Sequence, residues 1–135
     1  PPVDVVDELP AGTMLTVDAL QVQQVLLNLL KNGWDATRRL PAERQQLTVT
    51  LRRDTSGVHI AVRDRGEPLS TGQQSHLFEP FFTTKADGMG LGLSICRSIA
   101  EAHGGRLDAS AAEDGLGLQF TLTLPDDDRN PTRGA

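Results

Sequence analysis

Hydrophobic spacing along the chain switches between a period of two and a period near 3.6, and the switches predict the elements. "TMLTV" (13–17) alternates and carries β-branched residues, which predicts a strand. Asp18 then has the place and chemistry of a helix N-cap. From Ala19 to about Arg39, apolar residues recur at three and four (Val22, Val25, Leu26, Leu29, Leu30), predicting a long amphipathic helix that "LPAE" (40–43) ends. "QLTVTLRR" (46–53) alternates with Leu47, Val49 and Leu51 on one face, and "DTSG" (54–57) is a turn. "VHIAVRD" (58–64) points Val58, Ile60 and Val62 inward, so the two strands predict a hairpin. A loop rich in Gly and Pro follows, then a short helical piece near 72–78 and an irregular stretch over 79–90. Residues 91–103 predict a second long helix capped by Gly104. "RLDASAA" (106–112) and "LGLQFTLTL" (116–124) predict a closing hairpin, and "PDDDRNPTRGA" (125–135) a mobile polar tail. The order predicts an α+β fold: a two-layer sandwich whose mixed, mostly antiparallel sheet carries its helices on one face.

Composition narrows the classes. A length of 135 residues suits one domain with a proper core, placed here at 1–124 with the tail at 125–135. A formal charge of -5 argues against a nucleic-acid surface. No apolar run approaches the ~20 residues of a membrane span. The sequence opens on Pro1 with no visible signal peptide, so a piece of a longer chain is expected. The single cysteine, Cys96, excludes an internal disulfide, fits a reducing compartment and reads as buried apolar filler between Ile95 and Ile99.

Four clusters hold residues that core and surface alone do not ask for. On the first helix, Asn28 and Asn32 are four apart and share a face, with Asp35 close by and Gln24 extending the stripe. A solvated polar face is the plain reading. Asparagine is a poor helix former, however, and its amide oxygen suits a hard cation such as Mg²⁺. In "RDRGEP" (63–68), Asp64 shares the inward face of Val62 and needs a partner. That partner is a turn, or an exocyclic amine such as adenine's. "LFEPFFTTK" (77–85) gathers Phe78, Phe81 and Phe82, three of the four Phe residues, as a loop anchor. Thr83, Thr84 and Lys85 follow, and Lys85 is either a phosphate contact or a solvated cation. Finally, "GMGLGLS" (88–94) puts Gly88, Gly90 and Gly92 at the mouth of a helix. A plain loop would do this. So would a phosphate cradle, since helix N-termini offer free N–H groups and glycine leaves them uncovered. No Gly-Lys-Ser/Thr follows, so this is not a Walker A loop.

In order and spacing the four clusters resemble the ATP-binding domain of two-component sensor histidine kinases, within the wider GHKL superfamily. "NLLKNGWDA" (28–36) resembles the N box, "DRGEP" (64–68) the first glycine box, "LFEPFFTTK" the F box and "GMGLGLSICRSIAEAHGG" (88–105) the second glycine box. The resemblance spans about residues 15–124. It implies a Bergerat-type sandwich that binds ATP with Mg²⁺, with Asn32 as metal ligand and Asn28 and Asp35 beside it. Asp64 would accept from the adenine amino group, and Gly66 would let the base lie against the backbone. Thr84, Lys85, Gly88, Met89, Gly90, Leu91, Gly92 and Leu93 would line the phosphates, and Asn28, Asn32 and Lys85 would carry catalysis. Only Ala86 and Asp87 separate Lys85 from Gly88, a short lid that resembles the subgroup with oxygen-, nitrogen- and dicarboxylate-sensing kinases. Three positions depart from the pattern: Pro68 replaces a Gly, Gly33 an Ala, and Met89 a Thr.

The resemblance also discriminates activity. Superfamily ATPases carry a glutamate general base where this chain has Asn28, which cannot take a proton. Transfer to an external acceptor is therefore favoured over hydrolysis. None of His59, His76 and His103 sits in an acidic His-Glu/Asp-x-x-Pro motif. The expected partner is a separate dimerisation and phosphoacceptor domain of the same kinase, with a response regulator acting indirectly, in the cytoplasm. Residues 1–12 would supply the opening strand. Contact with nucleic acid or with the membrane is not expected. Two alternatives stay open: an anti-sigma-type serine kinase, and a nucleotide-binding module with weak catalysis.

Overall fold

The computed structural model describes residues 3–38, 40–66, 92–111 and 117–126. Five strands form one sheet in the order β1-β2-β3-β5-β4: β1 Val3–Asp7, β2 Leu47–Asp54, β3 Gly57–Arg63, β4 Arg106–Ala111 and β5 Leu118–Leu124. β1 runs parallel to β2, and the other pairs are antiparallel. Two helices, α1 Ala19–Thr37 and α2 Gly92–Ala102, pack on one face. Val58, Ile60 and Val62 of β3 share a single core with Val25 and Leu29 of α1 and with Cys96, Ile99 and Ala100 of α2. The α+β sandwich, both hairpins and both long helices follow the hydrophobic spacing. The expected short helix near 72–78 lies outside the described residues.

The strand expected at 13–17 does not form. Thr13 folds back on Pro10 through its amide (3.2 Å) and its hydroxyl (2.6 Å). Leu15 and Val17 still pack against the core. The alternation is real, but the segment pairs with none of the described strands, and its fold-back at Pro10 leads it into Asp18. The extended segment runs into Asp18, whose Oδ1 accepts from the Gln21 amide at 3.1 Å. That N-cap stabilises α1 by about 1 kcal/mol.

His103 ties the two helices together. Its Nε2 accepts the Asp18 amide at 3.0 Å, and its Nδ1 lies 2.8 Å from the Ile99 carbonyl. The ring thus crosslinks the start of α1 to the end of α2. Gly104 caps α2 as expected, at φ +75°.

His59 points away from the helices yet is buried, 2.9 Å from Thr123 Oγ1 and 2.8 Å from Asp54 Oδ1. Hydrogen bonds from the Ser56 hydroxyl and from His59 hold the Asp54 carboxyl far below the usual carboxylate range. The expected tail meets the described residues only at 125–126, and there it is anchored: Asp126 is buried and takes the Arg53 Nε at 2.9 Å.

Candidate nucleotide site

The site is built along one flank of α1. At its C-terminal end stands the turn that follows β3. Asp64 is buried, and its Oδ1 accepts from the Gly66 amide at 2.8 Å and from the Leu118 amide at 3.4 Å. The strand spacing predicts a buried acid in need of a partner, and two backbone N–H groups fill that need. Gly66 is bare for a reason inside the fold. A Cβ there would sit 2.9 Å from the Ala36 carbonyl and 3.1 Å from the Ala36 Cβ, so glycine lets the turn press against α1. Gly33 does the same a turn earlier in the helix: its Cβ would stand 2.7 Å from Leu47 Cδ2 and 3.6 Å from Asp64 Cβ. That close approach offsets the helix propensity lost at Gly33.

At the other end, α2 meets α1. Asn28 Nδ2 donates to Cys96 Sγ at 3.5 Å, and burial raises the Cys96 thiol above its ordinary range while that hydrogen bond opposes the shift. With Nδ2 turned toward sulfur, the Asn28 amide lies beside the first residue of α2: a Cβ on Gly92 would be 3.9 Å from both Cγ and Oδ1. Asn32 and Asp35 are half-buried between the two ends and engaged within the protein. From Asn28 to Ala36 the helix rises about 12 Å, so an amide oxygen beside a helix N-terminus and a buried carboxylate face the two ends of one elongated flank.

Leu93 is half-buried, and its side chain packs against the hydrophobic core. Thr84, Lys85, Gly88, Met89, Gly90 and Leu91 lie outside the described residues, as do Pro68 and the three clustered phenylalanines. Among the described residues no three His, Cys, Asp or Glu side chains gather to hold a metal. A cation here would lean on amide oxygen and on ligand phosphates, the donor set Mg²⁺ favours with nucleotides. Two residues of the site are not singled out by sequence. Gly117, at φ +81°, packs against the Asp64 carboxylate and carbonyl, where a side chain would collide. Cys96 reads from sequence as filler, and its contact with Asn28 appears only in the fold.

The profile of the histidine kinase-, DNA gyrase B-, and HSP90-like ATPase family matches residues 17–128. The chain belongs to this family. Within it, the chain is 45% identical over 108 residues to the C4-dicarboxylate transport sensor protein DctS of Rhodobacter capsulatus, covering 80% of this chain and 16% of the relative. It is 41% identical over 122 residues to the sensor protein FixL of Bradyrhizobium diazoefficiens, covering 90% and 24%. The chain therefore spans a quarter or less of these curated relatives. A nucleotide-free catalytic domain of histidine kinase ThkA superposes with a TM-score of 0.71 at 32% identity, covering 91% of this chain and 80% of that one. The family, its fold and its use of ATP follow. No helix among the described residues is long and apolar enough to cross a membrane.

Proposed function

We propose that this chain is the catalytic ATP-binding domain of a cytoplasmic-facing sensor histidine kinase, which passes the γ-phosphate of ATP to a histidine on a separate dimerisation domain. The observation that carries this reading is the flank of α1, with a buried carboxylate at one end and an amide oxygen beside a helix N-terminus about two turns away. Asp64 would receive the adenine amine, and Gly66 would bring the base against backbone. The N-terminal amides of α2 would face the phosphates, and Gly92 would keep that approach open. Asn32 would hold Mg²⁺, which neutralises phosphate charge when bound. Asn28 would turn its oxygen toward a cation that accompanies the phosphates and cannot serve as a base, so the bound nucleotide awaits an acceptor rather than water.

The histidines support an external acceptor. His59 and His103 are each tied through both ring nitrogens to neighbours. His76 lies outside the described residues. The test is γ-labelled ATP offered to the chain alone and with a two-helix histidine domain. Label is expected on the two-helix domain only, weakly, because tethering is lost. Acid-stable label on the chain itself would favour a serine kinase instead.

A further inference from the structure

The face of α1 turned away from the core carries large apolar residues that stay exposed. Leu20 is 76% exposed, Leu27 67% and Trp34 44%. They stand seven residues apart, so on a helix they form one seam drifting by about 20° per step and about 21 Å long. The core-facing residues Val25 and Leu29 lie on the opposite side of the same helix. Scattered exposed leucines are ordinary, but a row at heptad spacing that ends in tryptophan is the pattern a second helix reads.

The charges beside the seam say what kind of helix. Gln24, Lys31 and Arg38 repeat the same spacing four residues further on, which places them along one edge of the seam. Asp35 is the only acid on α1 and lies on the Asn28 flank. The seam is therefore apolar with a cationic margin, in a chain of formal charge -5. A second copy has no acidic row on α1 to meet Lys31 and Arg38. A lipid surface would ask for a broad apolar face, and this seam is only about 40° wide at about 100° per residue.

We propose that the Leu20–Leu27–Trp34 seam is a docking surface for an amphipathic helix with apolar residues at heptad spacing and an acidic flank. The partner helix lies along α1, its apolar row against the three side chains and its carboxylates against Lys31 and Arg38. The inference stands apart from the nucleotide reading, since none of these residues belongs to that site.

Trp34 is the only tryptophan in the chain, which supplies the readout. Two synthetic helical peptides of three heptads, with identical leucine seams and with Glu or Lys along the flank, are titrated against the whole chain. The Glu peptide is expected to blue-shift Trp34 emission and to bind at least tenfold more tightly than the Lys peptide, with the difference shrinking at high salt. Leu27→Glu, at an exposed position, is expected to keep the circular dichroism spectrum and to weaken the Glu peptide at least tenfold. Equal binding of both peptides, no binding of either, or an unaffected Leu27→Glu variant overturns the proposal. Self-association on ultracentrifugation that Leu27→Glu abolishes would assign the seam to a second copy. A blue shift with phosphatidylglycerol vesicles but not with peptide would assign it to a membrane.

Discussion

Asp64→Asn separates the fold's use of this carboxylate from the ligand's. Oδ1 faces two backbone donors, the Gly66 amide at 2.8 Å and the Leu118 amide at 3.4 Å. An asparagine must therefore keep its oxygen there and put its NH₂ where the second carboxylate oxygen stands, because the reverse would aim donors at donors. The two turn hydrogen bonds survive in weaker, uncharged form. Charge-assisted bonds are roughly twice as strong as neutral ones, so the fold should lose about 0.5–1 kcal/mol. At the ligand the change is one of kind. The atom offered to an adenine amine becomes a donor, and ATP affinity should fall at least tenfold, about 1.4 kcal/mol.

Asp64→Ala would be the wrong variant, since it leaves two buried N–H groups unsatisfied at about 1–3 kcal/mol each and confounds binding with unfolding. The assay is calorimetric titration of ATP and adenosine into both proteins after thermal melts. A near-native melt with both ligands weakened together is expected. Unchanged affinity for both would remove Asp64 from the base pocket. Loss of ATP with adenosine unaffected would move it to the phosphate end.

Other outcomes are as specific. Asn32→Ala should weaken ATP much more with Mg²⁺ than in EDTA, and equal losses in the two titrations would point to damage to α1 instead. Cys96 is fully buried with its thiol raised, so iodoacetamide should leave the native chain unlabelled at neutral pH and label it fully in denaturant. Rapid labelling of the folded chain would contradict the packing of α2 on α1. Gly92→Ala should melt no lower than the native chain yet lose most ATP affinity while keeping adenosine, whereas Gly66→Ala should lose stability first. Parallel loss of both ligands in Gly92→Ala would mean that the glycine shapes the pocket and does not approach phosphate.

What sequence makes legible is burial, and what it leaves obscure is pairing. The alternation at 13–17 does report which residues turn inward, since Leu15 and Val17 reach the core. Whether an extended segment joins a sheet depends on the strand it meets, which periodicity does not report, and 13–17 pairs with none of the described strands. β1 itself is exposed at every residue, so no buried face marks it, and it is held by its ladder with β2 and by the Gln46–Asp4 hydrogen bond. The site follows the same rule. Asn28, Asn32 and Asp64 stand out because their residue types are costly where the periodicity puts them. Gly117 does not, because a glycine before a strand has many ordinary uses and only the fold sets it against Asp64.

The glycines of the site carry the strongest case for a ligand, because they differ in who needs them. At Gly66 the fold needs bareness: the Ala36 carbonyl is fixed backbone that cannot retreat from a Cβ at 2.9 Å. At Gly33 the obstacle is the end of the Leu47 side chain, which can shift, so alanine there trades a helix gain of about 1 kcal/mol against local repacking. Gly92 is different. Among the described residues the nearest atoms to its Cβ belong to Asn28 at 3.9 Å, an ordinary contact, and its φ is not positive. It opens α2. Among the described residues, neither packing nor a positive φ asks for glycine there. On the proposed reading, Gly92 would leave the N-terminus of α2 open to a ligand. The free amides and partial positive charge of that terminus would favour an anion, and the amide oxygen of Asn28 beside it would favour one that arrives with a cation, so a Gly92→Ala variant that keeps full ATP affinity would refute this reading.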